Sequence, residues 1–146
     1  MKLISHRGNI NGKNISQENK PKYLINALKL GYDVELDLYV INGILFLGHD
    51  EPLYKIDINW LLDISDNIWV HCKNLESLDW CVKNNKKLNY FWHQQDDFTI
   101  TSKGFIWCYP KICYVENSIA VLPELGNVYD LNKYRGICSD FIINYK

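Results

Sequence analysis

Short apolar runs separated by polar residues recur along the chain and predict alternating strands and helices. Residues 2–5 form the first apolar run, and the Asn- and Gly-rich residues 8–17 after it predict a loop. Residues 21–30 carry apolar side chains with the period of about 3.6 that marks an amphipathic helix. Pro21 suits the first turn of that helix, and Gly31 suits its end. The chain therefore begins as strand, loop and helix.

A second strand and a tight hairpin are predicted next. Residues 32–39 form an apolar segment, and Asn42-Gly43 stands shortly before another apolar run at 44–47. An Asn-Gly pair between two apolar runs is a strong hairpin signal, because both positions tolerate the positive φ angles of a type I′ turn. We therefore expect residues 44–47 to fold back beside residues 38–41.

The second strand contains two carboxylates in apolar surroundings, Glu35 and Asp37. Residues i and i+2 of a strand point to the same face, so these two side chains lie next to each other. On a buried face, mutual repulsion and desolvation oppose the ionisation of both groups. A surface strand would carry the pair at little cost, whereas a buried pair requires a positive charge opposite it.

Strand and helix signals continue through the rest of the chain. Residues 60–64 and 75–82 have helical character, and five more apolar strands are predicted at IWVHCKN, NYFWHQQ, GFIWCYP, SIAVLPE and GICSDFII. This alternation predicts an α/β fold with a parallel sheet, either closed or doubly wound. No linker or change of composition divides the chain, so we expect one domain over residues 1–146.

Composition excludes several classes of protein. The chain has 146 residues, of which 47% are hydrophobic, and its net charge is -1. That content predicts a cored domain rather than disorder, and the absence of a basic surplus predicts no nucleic-acid binding. No signal sequence or apolar run of about 18 residues is present, which predicts a cytoplasmic protein without membrane insertion. Five cysteines without a CxxC pair favour buried thiols over a disulfide framework or a zinc site.

The four histidines fall at or near the predicted strand ends, at His6, His49, His71 and His93. In parallel α/β folds, functional groups gather at the carboxyl ends of the strands. A single histidine is more often structural, but four at equivalent positions indicate a site. The i, i+2 rule adds Lys73 to the face of His71 and places Cys72 on the opposite face, toward a covering helix.

A divalent metal site is one way to complete this cluster. Glu35 and Asp37 supply oxygen ligands, and an imidazole or third carboxylate would complete the set. The charge of the metal would keep both carboxylates ionised. The alternative is an ion pair of either carboxylate with Arg7 or Lys73.

Several short motifs resemble, in order and spacing, those of the glycerophosphodiester phosphodiesterase family. They are HRG at 6–8, EN at 18–19, ELD at 35–37, NG at 42–43 and HD at 49–50. HCK at 71–73 and GICSDFI at 136–142 are weaker matches to the third and last strands of the family. Residues 74–132 match only in the rhythm of their strands.

The resemblance implies a fold as well as a chemistry. The family has a (β/α) barrel, of about 250 residues in its usual form, so this shorter chain is predicted to be a reduced TIM-like barrel. Several of its helices must be missing or replaced by loops, above all in the second half. A poorly covered outer face would leave apolar surface, so we also expect a homodimer.

The implied reaction is metal-dependent hydrolysis of a phosphodiester. The matching positions make His6 and His49 the general acid and base, Arg7 and Lys73 the phosphate contacts, Glu18 an acidic residue beside the site, and Glu35 and Asp37 ligands of Mg²⁺ or Ca²⁺. Imidazoles, whose pKa is about 6.5, suit proton transfer at neutral pH. The expected substrate is a soluble glycerophosphodiester-like or nucleotide-linked phosphodiester.

Two features depart from the family pattern. His71 stands where the family has a third acidic ligand, so either the ligand comes from elsewhere or the preference shifts toward Mn²⁺, Zn²⁺ or Fe²⁺. The family's long polar insert is absent, so later strand ends should line a shallower site, with His93, Gln95 and Trp107 as substrate contacts and with Tyr109 and Glu124 near them. The alternative to an enzyme is an inactive barrel that binds a phosphorylated ligand or a protein partner.

Overall fold

One sheet contains all the strands of the computed structural model, which describes residues 1–84, 86–126 and 130–146. The ten strands, β1 to β10, are Lys2–His6, Asp33–Ile41, Ile44–Leu47, Tyr54–Ile56, Ile68–Cys72, Asn89–Phe91, Phe98–Ile100, Ile106–Cys108, Ser118–Val121 and Gly136–Ser139. The three α-helices of the described residues, α1 to α3, are Pro21–Lys29, Ile58–Asp63 and Leu75–Asn84. Single 3-10 turns occur at Ser65–Asn67, Pro123–Leu125, Leu131–Lys133 and Ile142–Tyr145.

The sheet is mixed. Its parallel part runs in the order β6, β5, β2, β1, β10, β9 and β8. β3 and β4 add antiparallel pairing beside the second half of β2, and β7 pairs antiparallel with β8. The long strand β2 therefore contacts β5 on one edge, and β1 followed by β3 on the other.

The sheet curls into a half-barrel around an aromatic interior. Side chains from six of the parallel strands meet there, namely Ile4, Trp69, Phe91, Trp107, Ile119 and Cys138. Neighbouring strands lie about 4.8 Å apart, so side chains from the outer strands of a flat sheet would not reach one another. Hydrogen bonds also join the two ends of the array, because Ser102 N donates to Tyr90 O over 2.8 Å and Thr99 Oγ1 donates to Trp92 O over 2.8 Å.

The outer face of the first half is covered by the helices. Val34, Leu36 and Leu38 alternate with the carboxylates of β2 and are fully buried against residues such as Leu24 of α1. Each buried aliphatic side chain of this kind contributes about 1.5–3 kcal/mol. Alternate side chains of β2 therefore pack against the helices, and Glu35 and Asp37 between them point into the half-barrel.

The prediction of a reduced (β/α) TIM-like barrel is wrong. All three α-helices of the described chain lie before residue 85, and the strands after them are joined by loops and 3-10 turns. A helical crossover needs about a dozen residues, and short connections such as residues 109–117 leave no room for one. The predicted hairpin of residues 38–41 with 44–47 is confirmed, whereas the edge strands β4 and β7 were not predicted.

Two cysteines differ from the expectation of buried thiols. Cys108 and Cys113 form a disulfide, while Cys72, Cys81 and Cys138 are free and buried. Cys72 does face a helix, since its Sγ lies 3.8 Å from Cys81 Sγ in α3. None of the described helices has the length and apolar character needed to cross a membrane.

Candidate active site

The register of three parallel strands assembles the centre of the site. His6 at the end of β1 stands opposite Glu35 of β2, and Asp37 stands opposite His71 of β5. All four side chains follow the alternation that points them into the half-barrel. Residues far apart in sequence therefore meet because their strands are adjacent and in register.

Glu35, Asp37 and His71 form a compact set of potential metal ligands. One donor atom from each lies within 4.8 Å of the others. His71 Nδ1 lies 3.2 Å from Asp37 Oδ1 and 3.8 Å from Glu35 Oε1. Glu35 is 2% exposed and Asp37 is 0% exposed, so the carboxylates lie on a buried face.

The orientation of His71 fits a ligand. Its Nε2 lies 2.9 Å from the carbonyl oxygen of His93, which only accepts, so Nε2–H is the donor. In the neutral ring, Nδ1 then presents a lone pair toward the two carboxylates. Phe91 stacks on the ring at 5.0 Å with an interplanar angle of 12° and fixes its plane. Metal-bound histidines commonly donate their second N–H to a carbonyl in this way.

An unsatisfied oxygen supports the same conclusion. Asp37 Oδ1 is buried and has no hydrogen-bond partner among the described residues. A buried acceptor without a donor is costly, and its nearest neighbour, His71 Nδ1 at 3.2 Å, carries a proton only when both ring nitrogens are protonated. The three residues therefore fit a divalent cation, which would satisfy both groups.

The two carboxylates respond to burial in opposite ways. Burial and the adjacent charge of Asp37 raise the pKa of Glu35. Burial also acts to raise the pKa of Asp37, but the rings of His49 and His71 and the charge of Arg7 outweigh it and hold that pKa well below its ordinary value. Asp37 is thus the more acidic of the two carboxyl groups.

His6 is paired with an aspartate that was not among the predicted site residues. His6 Nδ1 lies 2.7 Å from Asp140 Oδ1, just after β10, and His6 Nε2 lies 3.9 Å from Glu35 Oε2. Burial lowers the pKa of His6, but the hydrogen bond to Asp140 and the charge of Glu35 raise it above its ordinary value. The motif GICSDFI contained this aspartate, and its place after the last strand was the available signal.

Arg7 links the carboxylates to the second histidine. Its Nε lies 3.0 Å from Asp37 Oδ2, and its Nη1 donates to Glu18 Oε2 over 3.3 Å. Its Nη2 lies 3.3 Å from His49 Nε2, and His49 Nδ1 lies 3.3 Å from Asp37 Oδ2. The guanidinium thus contacts protein groups and also faces the cavity. Its predicted role as a phosphate contact is therefore combined with a role in holding the side chains around it.

Asp37 also depends on an asparagine from the EN motif. Asn19 Nδ2 donates to Asp37 Oδ2 over 2.8 Å, and Asn19 Oδ1 accepts from Asp37 N over 2.9 Å. These two hydrogen bonds fix the position of the Asp37 carboxylate. Asn19 is a site residue that the motif contained and that was not assigned a role.

These groups open onto a cavity of about 370 Å³ at the carboxyl ends of the strands. Nine of the predicted residues line it, namely His6, Arg7, Glu35, His49, His71, Lys73, His93, Trp107 and Tyr109, together with Gln94, Val121 and Leu122. Lys73 Nζ lies 3.9 Å from Asp37 Oδ1. The site therefore combines cations, carboxylates and imidazoles in one cleft.

Four predicted residues lie outside the cavity wall, and one of them, Glu124, accepts from Ser139 Oγ and Asp140 N instead. Asp37 is buried beneath it, and Glu18 lies behind Arg7. Gln95 does not line the cavity, and Gln94 does so instead. β6 ends at Phe91, so the alternation that placed Gln95 on the face of His93 does not continue that far. Trp107 packs on Phe91 with 4.7 Å between ring centroids and is only 4% exposed.

Comparison with known proteins assigns no family to this chain. No family model, curated protein or solved structure matches it. The motif resemblance stays a prediction, and the function is inferred from the geometry of the site.

Proposed function

We propose that this protein is a metal-dependent phosphodiesterase that hydrolyses a soluble glycerophosphodiester-like or nucleotide-linked substrate. The proposal rests on His6, which is paired with the carboxylate of Asp140. His6 faces the same cavity as His49 and as the potential metal ligands Glu35, Asp37 and His71. The motifs shared with glycerophosphodiester phosphodiesterases support it, and we propose that the chain is a shortened relative of that family.

Glu35, Asp37 and His71 would hold the divalent cation. Bound there, the cation would offset the negative charge that develops on the phosphoryl oxygens. The resemblance favours Mg²⁺ or Ca²⁺, whereas the imidazole of His71 favours Mn²⁺ or Zn²⁺.

His6 would be the general acid. Its raised pKa favours the protonated ring, and Asp140 accepts from Nδ1–H, so in the imidazolium the proton on Nε2 faces the cavity. That proton would pass to the leaving oxygen as the bond between phosphorus and that oxygen breaks.

His49 would be the general base. Its side chain is 37% exposed, and its Nε2 accepts from Arg7 Nη2 over 3.3 Å. When a bound phosphate oxygen accepts the Nη2–H of Arg7 in place of His49, Nε2 gains a free lone pair that can take the proton of the attacking hydroxyl. A cyclic phosphate formed by a substrate hydroxyl would then be opened by water, with the two histidines exchanging roles.

Lys73 would bind the phosphate. Its side chain is 17% exposed and lines the cavity, and its contact with Asp37 at 3.9 Å is too long for a strong hydrogen bond. The ammonium group is therefore available to a phosphoryl oxygen.

Turnover by the purified protein tests this function. A panel of glycerophosphodiesters and nucleotide-diphospho-polyols would be assayed with EDTA or with Mg²⁺, Ca²⁺, Mn²⁺ or Zn²⁺. We expect metal-dependent turnover that is lost in His6→Ala and His49→Ala and kept in Lys83→Ala, which changes an exposed residue of α3. Tight metal binding without turnover of any substrate would instead favour a module that binds a phosphorylated ligand.

A further inference from the structure

Asn9 lies behind the site and is completely buried. Its side-chain nitrogen Nδ2 donates to Glu18 Oε1 over 2.9 Å and to Asp140 Oδ1 over 2.8 Å. Its oxygen Oδ1 accepts from Asn14 N over 3.1 Å and from Tyr23 OH over 3.2 Å. Both donors and both lone pairs of the amide are therefore used, and the two carboxylates fix which end is nitrogen, because carboxylates only accept.

Each of the two carboxylates that Asn9 binds is also connected by hydrogen bonds to one of the histidines. Asp140 Oδ1, which accepts from Asn9, also accepts from His6 Nδ1. Glu18 accepts from Asn9 with one oxygen and from Arg7 Nη1 with the other, and Arg7 Nη2 contacts His49 Nε2. A continuous series of hydrogen bonds thus joins the general acid to the general base through one amide.

The chemistry of this position requires a double donor. Glu18 and Asp140 are 8% and 7% exposed, and without a donor between them two buried carboxylates would face each other. An aspartate in place of Asn9 would add a third negative charge, and an apolar residue would leave two acceptors unsatisfied. Asp140 has further support from the 3-10 turn Pro123–Leu125, because its backbone N–H donates to Glu124 Oε1 over 2.9 Å.

We infer that Asn9 is a positioning residue for both His6 and His49, acting through Asp140 and through Glu18 with Arg7. This inference rests on the proposed function for its effect on catalysis. It gives the loop after β1 a role in the site that the sequence pattern of residues 8–17 did not indicate.

The test compares Asn9→Ala with Tyr23→Phe. The first variant removes both donors to the carboxylates, and the second removes one hydrogen bond from the other side of the same amide and leaves those donors in place. The first measurement is the NMR signal of the His6 Nδ1–H proton, which a short bond to a carboxylate shifts downfield and protects from exchange. It requires no substrate, so it also decides the inference if the protein proves not to be a phosphodiesterase.

We expect Asn9→Ala to move or abolish that signal and Tyr23→Phe to keep it. In the turnover assay, Asn9→Ala should lower kcat by about 10–100-fold, the usual effect of losing a supporting hydrogen bond, with little change in KM. Should Asn9→Ala not fold, Asn9→Ser is measured in the same way and should show an intermediate loss, because its hydroxyl keeps one donor. An unchanged His6 signal in the Asn9 variant, or equal losses in Tyr23→Phe, would overturn the inference.

Discussion

Replacing Glu35 with glutamine should stabilise the metal-free protein. Glu35 and Asp37 are buried side by side, and burial together with the charge of Asp37 raises the pKa of Glu35. Glu35 has a pKa of about 4.3 in the unfolded chain and a higher pKa in the folded protein. The stability of the fold therefore falls as the pH rises from the unfolded value to the folded value. At pH 7 the ionised Glu35 therefore opposes folding, and a neutral isostere removes that cost.

The magnitude follows from the separation of the charges. The ligand atoms lie within 4.8 Å of one another, and two unit charges at that distance repel by about 3.5 kcal/mol at an effective dielectric constant of about 20. The charges of His6 and Arg7 attract Glu35 and offset part of this repulsion. We therefore expect Glu35→Gln to gain about 1–2 kcal/mol, which in a domain of this size raises Tm by about 2–8 °C.

Thermal unfolding with EDTA and with added metal ions is the assay. At a metal concentration of about 100 times Kd, binding should stabilise the wild-type protein by about 2.7 kcal/mol, and Glu35→Gln should gain less because it has lost a charged ligand. The order of stability of the two proteins should therefore reverse when metal is added. Glu116→Gln, which changes an exposed carboxyl, is the control and should show neither effect.

Two results would refute the reasoning. A metal-free Glu35→Gln variant that is less stable than the wild-type protein at pH 7 would mean that the ionised pair is not under electrostatic strain. A variant with an undiminished response to metal would mean that Glu35 is not a ligand.

Three further predictions concern the metal, the acid and the core. Isothermal titration should show that the wild-type protein binds Mn²⁺ or Zn²⁺ more tightly than Mg²⁺ or Ca²⁺ and that His71→Glu narrows this difference in affinity; an unchanged difference would exclude His71 as a ligand. Because the pKa of His6 is raised, its contribution to stability is complete below about pH 6.5 and is lost as the pH rises through the pKa of the folded state. Because the pKa of Asp140 is lowered, its contribution is complete above about pH 3.9 and is lost as the pH falls through the pKa of the folded state. Urea unfolding across this range should therefore show a decline in stability above about pH 6.5 that Asp140→Asn flattens, and an equal slope in both proteins would contradict the pairing. Leu36→Ala should cost about 2–5 kcal/mol in the same assay, because Leu36 is fully buried under the helices, and a loss below about 1 kcal/mol would contradict its place in the core.

Local periodicity predicted the parts of the site that depend on neighbouring residues. The alternation of a strand placed Glu35 with Asp37 and His71 with Lys73, and it placed Cys72 on the helix side. The Asn-Gly turn fixed the register of β2 with β3. These features follow from a few residues at a time, so one sequence is sufficient to predict them.

Features that depend on distant pairing could not be predicted in the same way. β4 and β7 are three residues each and have no clear alternation, and they add to the sheet only because an open edge of β3 or β8 lies beside them. The expected helices of a barrel came from the motif resemblance, which covers residues of the site and not the connections. Asp140 and Asn9 are 131 positions apart, and nothing local to either residue indicates the bond between them.

The pairing of His6 with Asp140 also has a consequence for synthesis of the chain. These residues are 134 positions apart, and their strands, β1 and β10, are neighbours in the sheet. During translation, Asp140 emerges from the ribosome long after His6, the histidine that it binds. A nascent chain that stops before Asp140 carries His6, His49 and the proposed metal ligands Glu35, Asp37 and His71 but lacks this hydrogen bond. The first strand therefore acquires its final chemical environment only after residue 140 has been made.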